Sequence, residues 1–256
     1  MPTYRLVVEY DGTAFHGLQY QPGLRTVAGT LEDALSKLFH APVKITAAGR
    51  TDAGVHATGQ VVSFRAERAF PIERLALAIN GNTPADLVVF GPAIVNADFS
   101  ARFDARERRY EYIVQNGSPS ALWRLRAWHV PRPIDDERFR AAAAPLLGEH
   151  DFASYCGDPP PFGGTVRAIE AIALSRRGNL LRVGVRGNGF LHHMVRIVVG
   201  TLVECATGYR DVSFAREALE ACRRGAAGTA APAHGLYLAG VRYDGFDSYR
   251  GVDIAP

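Results

Sequence analysis

Cysteine is scarce and shows no pairing pattern. Cys156, Cys205 and Cys222 are odd in number and none stands in a Cys-x-x-Cys spacing. That speaks against a disulfide framework and predicts a reduced, cytoplasmic setting. Long apolar runs are missing too: the longest charge-free one in the late helix, Ile197 to Val203, is far too short to span a bilayer. The opening Met1-Pro2-Thr3-Tyr4-Arg5 enters a strand-like run at once, so no signal peptide is expected. Lysine is nearly absent, with Lys37 and Lys44 against 27 arginines. Several chemical signatures also fail. Gly187-Asn188-Gly189 has no third glycine at the right offset, so it is not a dinucleotide site. The Gly49 to Gly54 spacing is followed by valine rather than Lys-Ser/Thr, which excludes a P-loop. His192 and His193, adjacent on a presumed helix, point to different faces, and no His-Glu-x-x-His occurs, so no metal site is expected. Ser154 and Ser175 lack the setting of a nucleophile elbow.

What is present is enough for a real core: 256 residues, 47% of them hydrophobic, allow one large domain or two small ones. The net charge is only +3, but it is unevenly placed. From Ser100 to Arg132 seven arginines face Asp104, Glu107 and Glu111, giving +4 and leaving −1 for the rest of the chain. A preference for arginine over lysine explains the residue type but not the clustering, which points to a polyanionic partner.

Tyr4 to Tyr10 reads as a strand rich in β-formers. Asp11 to Arg25 is a polar loop, and Thr26 is placed to cap a helix from Val27 with Val27, Leu31, Leu35 and Leu38 on one face. Val43 to Ala47 and Gln60 to Phe64 are strand-like, Pro71 to Asn80 is a helix with proline in its first turn, and Leu87 to Phe90 is a strand. That order, β-α-β-β-α-β, is the ferredoxin-like arrangement. The pattern then recurs: a strand from Arg109 to Val114, a helix from Asp135 to Leu147, a hairpin of Ile169–Ser175 with Leu181–Arg186, helices Phe190–Ala206 and Ser213–Arg223, and a strand from Leu238 to Tyr243. The fold class is therefore α+β, with two ferredoxin-like or RRM-like halves, residues 1–100 and 101–256. The Pro/Gly-rich stretch from Gly157 to Gly164 reads as a flexible or polyproline-like loop.

Three residues ask for explanation. Asp52 lies in Ala48-Gly49-Arg50-Thr51-Asp52-Ala53-Gly54-Val55-His56-Ala57, a short polar loop between two strands. Its carboxylate either holds the turn together or is presented to a ligand that the glycines let approach. Arg196 lies in the middle of the helix read as Phe190–Ala206, which is apolar on nearly every side. A guanidinium there snorkels to the surface, or needs a solvated cleft or an acid. Glu204, eight residues along, and Asp52 are the candidate acids, with Asp52 preferred because an arginine beside it would hold it ionised. Tyr110 follows Arg108 and Arg109 at the start of a strand, either as core or as a ring on which a nucleobase stacks while arginines hold phosphate.

Together these residues resemble the tRNA pseudouridine synthase A family. The resemblance is carried by Tyr10-Asp11-Gly12-Thr13 with Phe15-His16-Gly17, by Gly49-Arg50-Thr51-Asp52-Ala53-Gly54-Val55-His56 with Gly59-Gln60-Val61, and by Phe99-Ser100-Ala101-Arg102-Phe103. It continues through Arg109-Tyr110, Phe190-Leu191-His192-His193-Met194-Val195-Arg196 and His234-Gly235-Leu236-Tyr237-Leu238, and so covers nearly the whole chain. The resemblance implies two α+β halves whose mostly antiparallel sheets join, with the active-site cleft between them. It implies isomerisation of uridine to pseudouridine at positions 38, 39 and 40 of the tRNA anticodon stem-loop, without cofactor or metal, by a homodimer. On that footing Asp52 is the catalytic aspartate, Tyr110 the base-stacking tyrosine, Arg196 the arginine that pairs with Asp52, and Arg50 an arginine tied to target-base access. Phe99, Ser100, Ala101, Arg102 and Phe103 fall on an RNA-contact segment. A second RNA-contact segment of the family lies before Arg167, where this chain has its Gly157–Gly164 insert, and no residue is carried over there. Two other classes are open to the same residues. A non-catalytic RNA-binding module would use the basic stretch and exposed aromatics, and a glycoside or nucleoside hydrolase would want a second carboxylate, which the Asp52 loop does not offer.

Overall fold

A computed structural model describes residues 1–158, 160 and 163–254. Of the Pro/Gly-rich insert, Pro159, Pro161 and Phe162 lie outside the described residues. In chain order the elements are β1 (Thr3–Tyr10), α1 (Val27–Phe39), β2 (Ile45–Ala47), β3 (His56–Arg65), α2 (Ile72–Asn80) and β4 (Leu87–Val95). There follow β5 (Glu107–Asn116), β6 (Trp128–Val130), α3 (Asp136–Ala143), β7 (Gly148–Asp151), β8 (Val166–Arg177), β9 (Leu180–Gly187), α4 (Met194–Ala206), α5 (Phe214–Glu220), β10 (Leu236–Tyr243) and β11 (Phe246–Asp247). Among the described residues no helix is long and apolar enough to cross a membrane.

The chain forms two compact units, each α+β. The first contains Met1–Arg108 and Tyr237–Val252, the second Arg109–Leu236. A linear reading divides the chain once, near residue 100; the units instead interleave. The cause is β10, which runs parallel to the start of β3 through Tyr237↔His56 and Leu238↔Ala57. Gly59 admits this neighbour: a Cβ there would strike the Ala239 carbonyl, and the Ser248 carbonyl 2.7 Å away.

In the first unit the sheet order is β4-β1-β3-β2 with every neighbour antiparallel, the ferredoxin-like order. The Thr26 hydroxyl caps α1 by accepting from Gly29 N–H, as the sequence predicts. The buried face of α1 ends on Phe39 rather than Leu38. Phe39 meets Tyr4 and Phe64, whose stacked rings lie 5.0 Å apart, while the Tyr4 hydroxyl accepts from Phe70 N–H at 2.9 Å. One acid is buried with purpose: Glu32 accepts from Lys44 Nζ at 2.7 Å and Ile45 N–H at 3.2 Å, tying α1 to the start of β2.

The second unit has the order β5-β9-β8-β7, with β6 added parallel to β5. β8 and β9 form the expected hairpin, Arg177 opposite Leu180 around Gly178-Asn179. α3, α4 and α5 pack on one another. Every residue of α4 is buried except Arg196 and Glu204.

Candidate active site

The Asp52 loop is tied down on both sides of the carboxylate. At its entry Ala48 N–H donates to the Val61 carbonyl at 2.8 Å, and Gln60 Nε2 donates to the Gly49 carbonyl at 2.8 Å. Thr51, next to Asp52, places its Oγ1 2.7 Å from the Tyr10 hydroxyl, and its carbonyl accepts from Leu18 N–H at 3.0 Å. At the exit Gly54 N–H donates to the Phe15 carbonyl at 3.3 Å, and Val55 N–H closes the turn on the Asp52 carbonyl at 3.2 Å. Burial pushes Tyr10 up to about 12, against the pull of its hydrogen bonds to Thr51 and Gln60. The phenol is thus a neutral strut at ordinary pH. Asp52 itself is half-buried and Arg50 is exposed.

His56 completes the support. Its buried ring stacks on Tyr237 with centroids 4.7 Å apart. Gly12 N–H donates to Nδ1 at 3.0 Å. Asp11 Oδ1 lies 3.2 Å from the same nitrogen and accepts from Thr13 N–H and Thr13 Oγ1 at 3.0 and 2.6 Å. Gly12 has to be glycine, because a Cβ there would overlap the Val55 carbonyl. Two motifs far apart in sequence, Tyr10–Gly17 and Gly49–His56, are therefore one packed body.

The turn from Phe99 to Phe103 belongs to the same unit. Phe99 lies against Tyr243 at 5.3 Å. Ala101 is buried, its N–H donating to Ser63 Oγ at 3.1 Å and its carbonyl accepting from the Tyr243 hydroxyl at 2.6 Å. Ser100 N–H donates to Asp104 Oδ2 at 2.9 Å. Only Arg102 and Phe103 face solvent, Phe103 at 79% exposure, so the first three residues anchor a turn that displays the last two. The basic stretch is also partly committed internally. Arg106 forms a salt bridge to Asp244 at 2.8 Å, and the Arg108 guanidinium reaches backbone carbonyls.

Tyr110 and Arg196 lie in the second unit. Tyr110, on β5 and 8% exposed, meets Phe190 edge-on at 5.2 Å. Arg196 is half-buried; its Nε donates to the Ala231 carbonyl at 2.8 Å, and Ala231 N–H returns a bond to the Arg196 carbonyl at 2.9 Å. Its charge is felt nearby. Burial pushes Tyr112 well above the usual tyrosine range and Arg196 partly offsets this; burial also lowers His234, against a backbone bond to Ala127, and Arg196 lowers it further. The Tyr112 hydroxyl donates to the Pro232 carbonyl at 2.7 Å.

Two expectations need correction here. The late helix begins at Met194, not Phe190, because His193 takes a left-handed conformation with φ 58° and ends the preceding turn. Arg196 therefore sits in the first turn of α4 rather than its middle. For the same reason His192 and His193 are not on a helix, and their rings stack at 3.7 Å instead of pointing apart. Gly157 N–H donates to the His192 carbonyl at 2.9 Å, and Asp158 Oδ2 lies 3.0 Å from His192 Nδ1, so the insert starts on this turn. Glu204 is engaged elsewhere, accepting from Thr229 N–H and Oγ1 at 3.0 and 2.9 Å and lying 3.8 Å from Arg210.

The sequence assigns no role to Tyr10, Thr51 or Gln60, and it reads Arg108 only as one of the arginines that hold phosphate beside Tyr110. One signal was available: Gln60 directly precedes the apolar Val61-Val62 in β3, and a polar side chain buried there needs a partner.

Comparison with known proteins points one way. The family described as tRNA pseudouridine synthase matches residues 6–104 and 142–244. The chain is 45% identical over 233 residues to a tRNA pseudouridine synthase A from Halalkalibacterium halodurans, covering 90% of this chain and 89% of that one. It is 44% identical over 245 residues to one from Anaplasma marginale strain Florida, covering 94% and 99%. It is 41% identical over 244 residues to one from Brevibacillus brevis, covering 95% and 100%.

Proposed function

Because this chain belongs to the tRNA pseudouridine synthase family, we propose that it isomerises uridine to pseudouridine at positions 38, 39 and/or 40 of the tRNA anticodon stem-loop, with Asp52 as its catalytic residue. The reaction breaks the N1–C1′ bond and forms C5–C1′; C5 loses a proton and N1 gains one. It balances without water, oxidant or reductant. The observation that carries the reading is the construction of the Asp52 loop. A half-buried carboxylate stands between residues fixed by hydrogen bonds to Tyr10, Gln60, Leu18 and Phe15, so its position is set before substrate arrives. Two routes use such a group. It attacks C1′ as in a retaining glycosidase, or acts there as a base; alternatively it adds to C6 of the ring. Each needs it ionised.

Arg196 is the proposed partner that keeps Asp52 ionised. A cation in the first turn of a helix lies at the positive end of the helix dipole, a placement that an acid nearby offsets. Tyr110 is proposed to stack on the extruded uracil, lowering the cost of unstacking, which is a few kcal/mol in a duplex and less in a loop. Arg50 is assigned to target-base access, and Arg102 and Phe103 to RNA contact on the turn that Phe99, Ser100 and Ala101 anchor. The enzyme is proposed to act as a cytoplasmic homodimer, with no cofactor.

The test is tritium release from tRNA carrying C5-tritiated uridine, with wild type beside Asp52→Ala. Release to water by wild type, and none by the variant with tRNA binding retained, is expected. Near wild-type release by Asp52→Ala would end the assignment. Tritium leaving as free uracil would indicate a hydrolase, and binding without any release a non-catalytic RNA-binding module.

A further inference from the structure

Arg108 sits in β5, half-buried, inside the basic stretch, where an arginine is easily taken for a phosphate contact. Its bonds within the first unit tell against that use. Nη2 donates to the Ala48 carbonyl at 3.1 Å and Nε approaches the same oxygen at 3.3 Å. Nη2 also donates to the Arg102 carbonyl at 2.7 Å, and Nη1 to the Ala105 carbonyl at 3.1 Å. Ala48 is buried and is the hinge at which β2 becomes the Asp52 loop, its own N–H fixed to β3. Arg102 belongs to the turn that displays Phe103, and Ala105 follows it on the way into β5. One planar guanidinium thus joins the backbone of the carboxylate loop to the backbone of the displayed turn.

We infer that Arg108 is a positioning residue, coupling the exposed Arg102–Phe103 turn to the placement of the Asp52 loop. This rests on the reading of Asp52 as the catalytic residue. RNA pressing on the turn is resisted by Ala48 through Arg108, so the turn and the carboxylate loop keep one fixed spacing. The chemistry is specific to arginine: a flexible ammonium serves as a point charge and does not span carbonyls on two segments with fixed geometry.

The experiment measures single-turnover pseudouridine formation at saturating tRNA, tRNA dissociation constants and melting midpoints. The proteins are wild type, Arg108→Met, Arg108→Lys, Asp52→Ala and, as a charge-matched neighbour, Arg106→Met. Both Arg108 variants are expected to lose rate by on the order of 10–100-fold, the scale of an ångström-sized misplacement, with tRNA affinity unchanged. Arg106→Met should keep the wild-type rate. Full rescue by Arg108→Lys, a defect confined to affinity, or an equal loss in Arg106→Met would each overturn the inference in favour of a charge effect. If Arg108→Met does not fold, Arg108→Lys decides alone. Absence of product from wild type would instead refute the functional reading on which the inference rests.

Discussion

The strut beneath the carboxylate loop makes a sharp prediction about alkaline stability. Tyr10→Phe removes a fully buried hydroxyl and leaves Thr51 Oγ1, itself nearly buried, without its 2.7 Å partner. An unsatisfied buried hydroxyl costs about 1–3 kcal/mol, or a fall in melting midpoint of roughly 2–10 °C for a chain of this size. Thr51→Val should also destabilise, because it takes the same 2.7 Å partner from the Tyr10 hydroxyl. The double variant should cost less than the two singles added. The pH dependence is more diagnostic. The folded Tyr10 ionises at about 12, above the 10.0 of an unperturbed tyrosine, so its contribution is complete below the unfolded value and is lost as pH rises toward the folded one. Linkage gives a loss of about 1.4 kcal/mol by roughly pH 11. Burial also raises Tyr112, Tyr155 and Tyr243, so the quantity to follow is the difference in urea-unfolding free energy between wild type and Tyr10→Phe. That difference should shrink by the stated amount between neutral and alkaline conditions. A pH-independent difference, or additive single and double variants, would show that the strut is not buried and bonded as described.

Two further outcomes follow from the same packing. Gly12→Ala pushes a methyl into the Val55 carbonyl and should lower stability by about 1–3 kcal/mol; an unchanged melting curve would refute the close approach of the two motifs. Tyr110→Phe keeps the ring against Phe190 and should retain tRNA binding, whereas Tyr110→Ala should weaken it by about 1–3 kcal/mol in filter binding. Loss of binding in Tyr110→Phe alone would shift the role from ring to hydroxyl.

Local features were the readable ones. Thr26 announced α1, and Gly178-Asn179 between alternating apolar residues announced the β8–β9 hairpin, because cap and turn chemistry act within a few residues. The Asp52 loop stood out because its glycines and polar residues interrupt two strands. What stayed hidden depends on distant or backbone partners. The start of α4 turns on one left-handed histidine, and nothing in Leu191-His192-His193-Met194 announces it. The parallel pairing of β10 with β3 joins segments some 180 positions apart, with no local mark on either. Arg108 reads as a phosphate-holding arginine because its acceptors here are carbonyls, which every residue has. In Phe99–Phe103 the pattern identified the turn, but only packing against Ser63 and Tyr243 separates anchors from displayed side chains.

The return of the chain to its first unit sets an order in time. When the ribosome has delivered residues through Arg108, the lower part of β3 still lacks Tyr237 and Leu238, and His56 lacks the ring on which it stacks. At roughly 5–20 residues per second, the segment in between takes on the order of ten seconds to make. For that interval the nascent first unit carries an open strand edge beside the loop that holds Asp52. His56, at the end of the loop that holds Asp52, thus gains its last support only after the second unit has been synthesised, although the loop's bonds to Tyr10, Phe15, Leu18 and Gln60 are all encoded near the beginning.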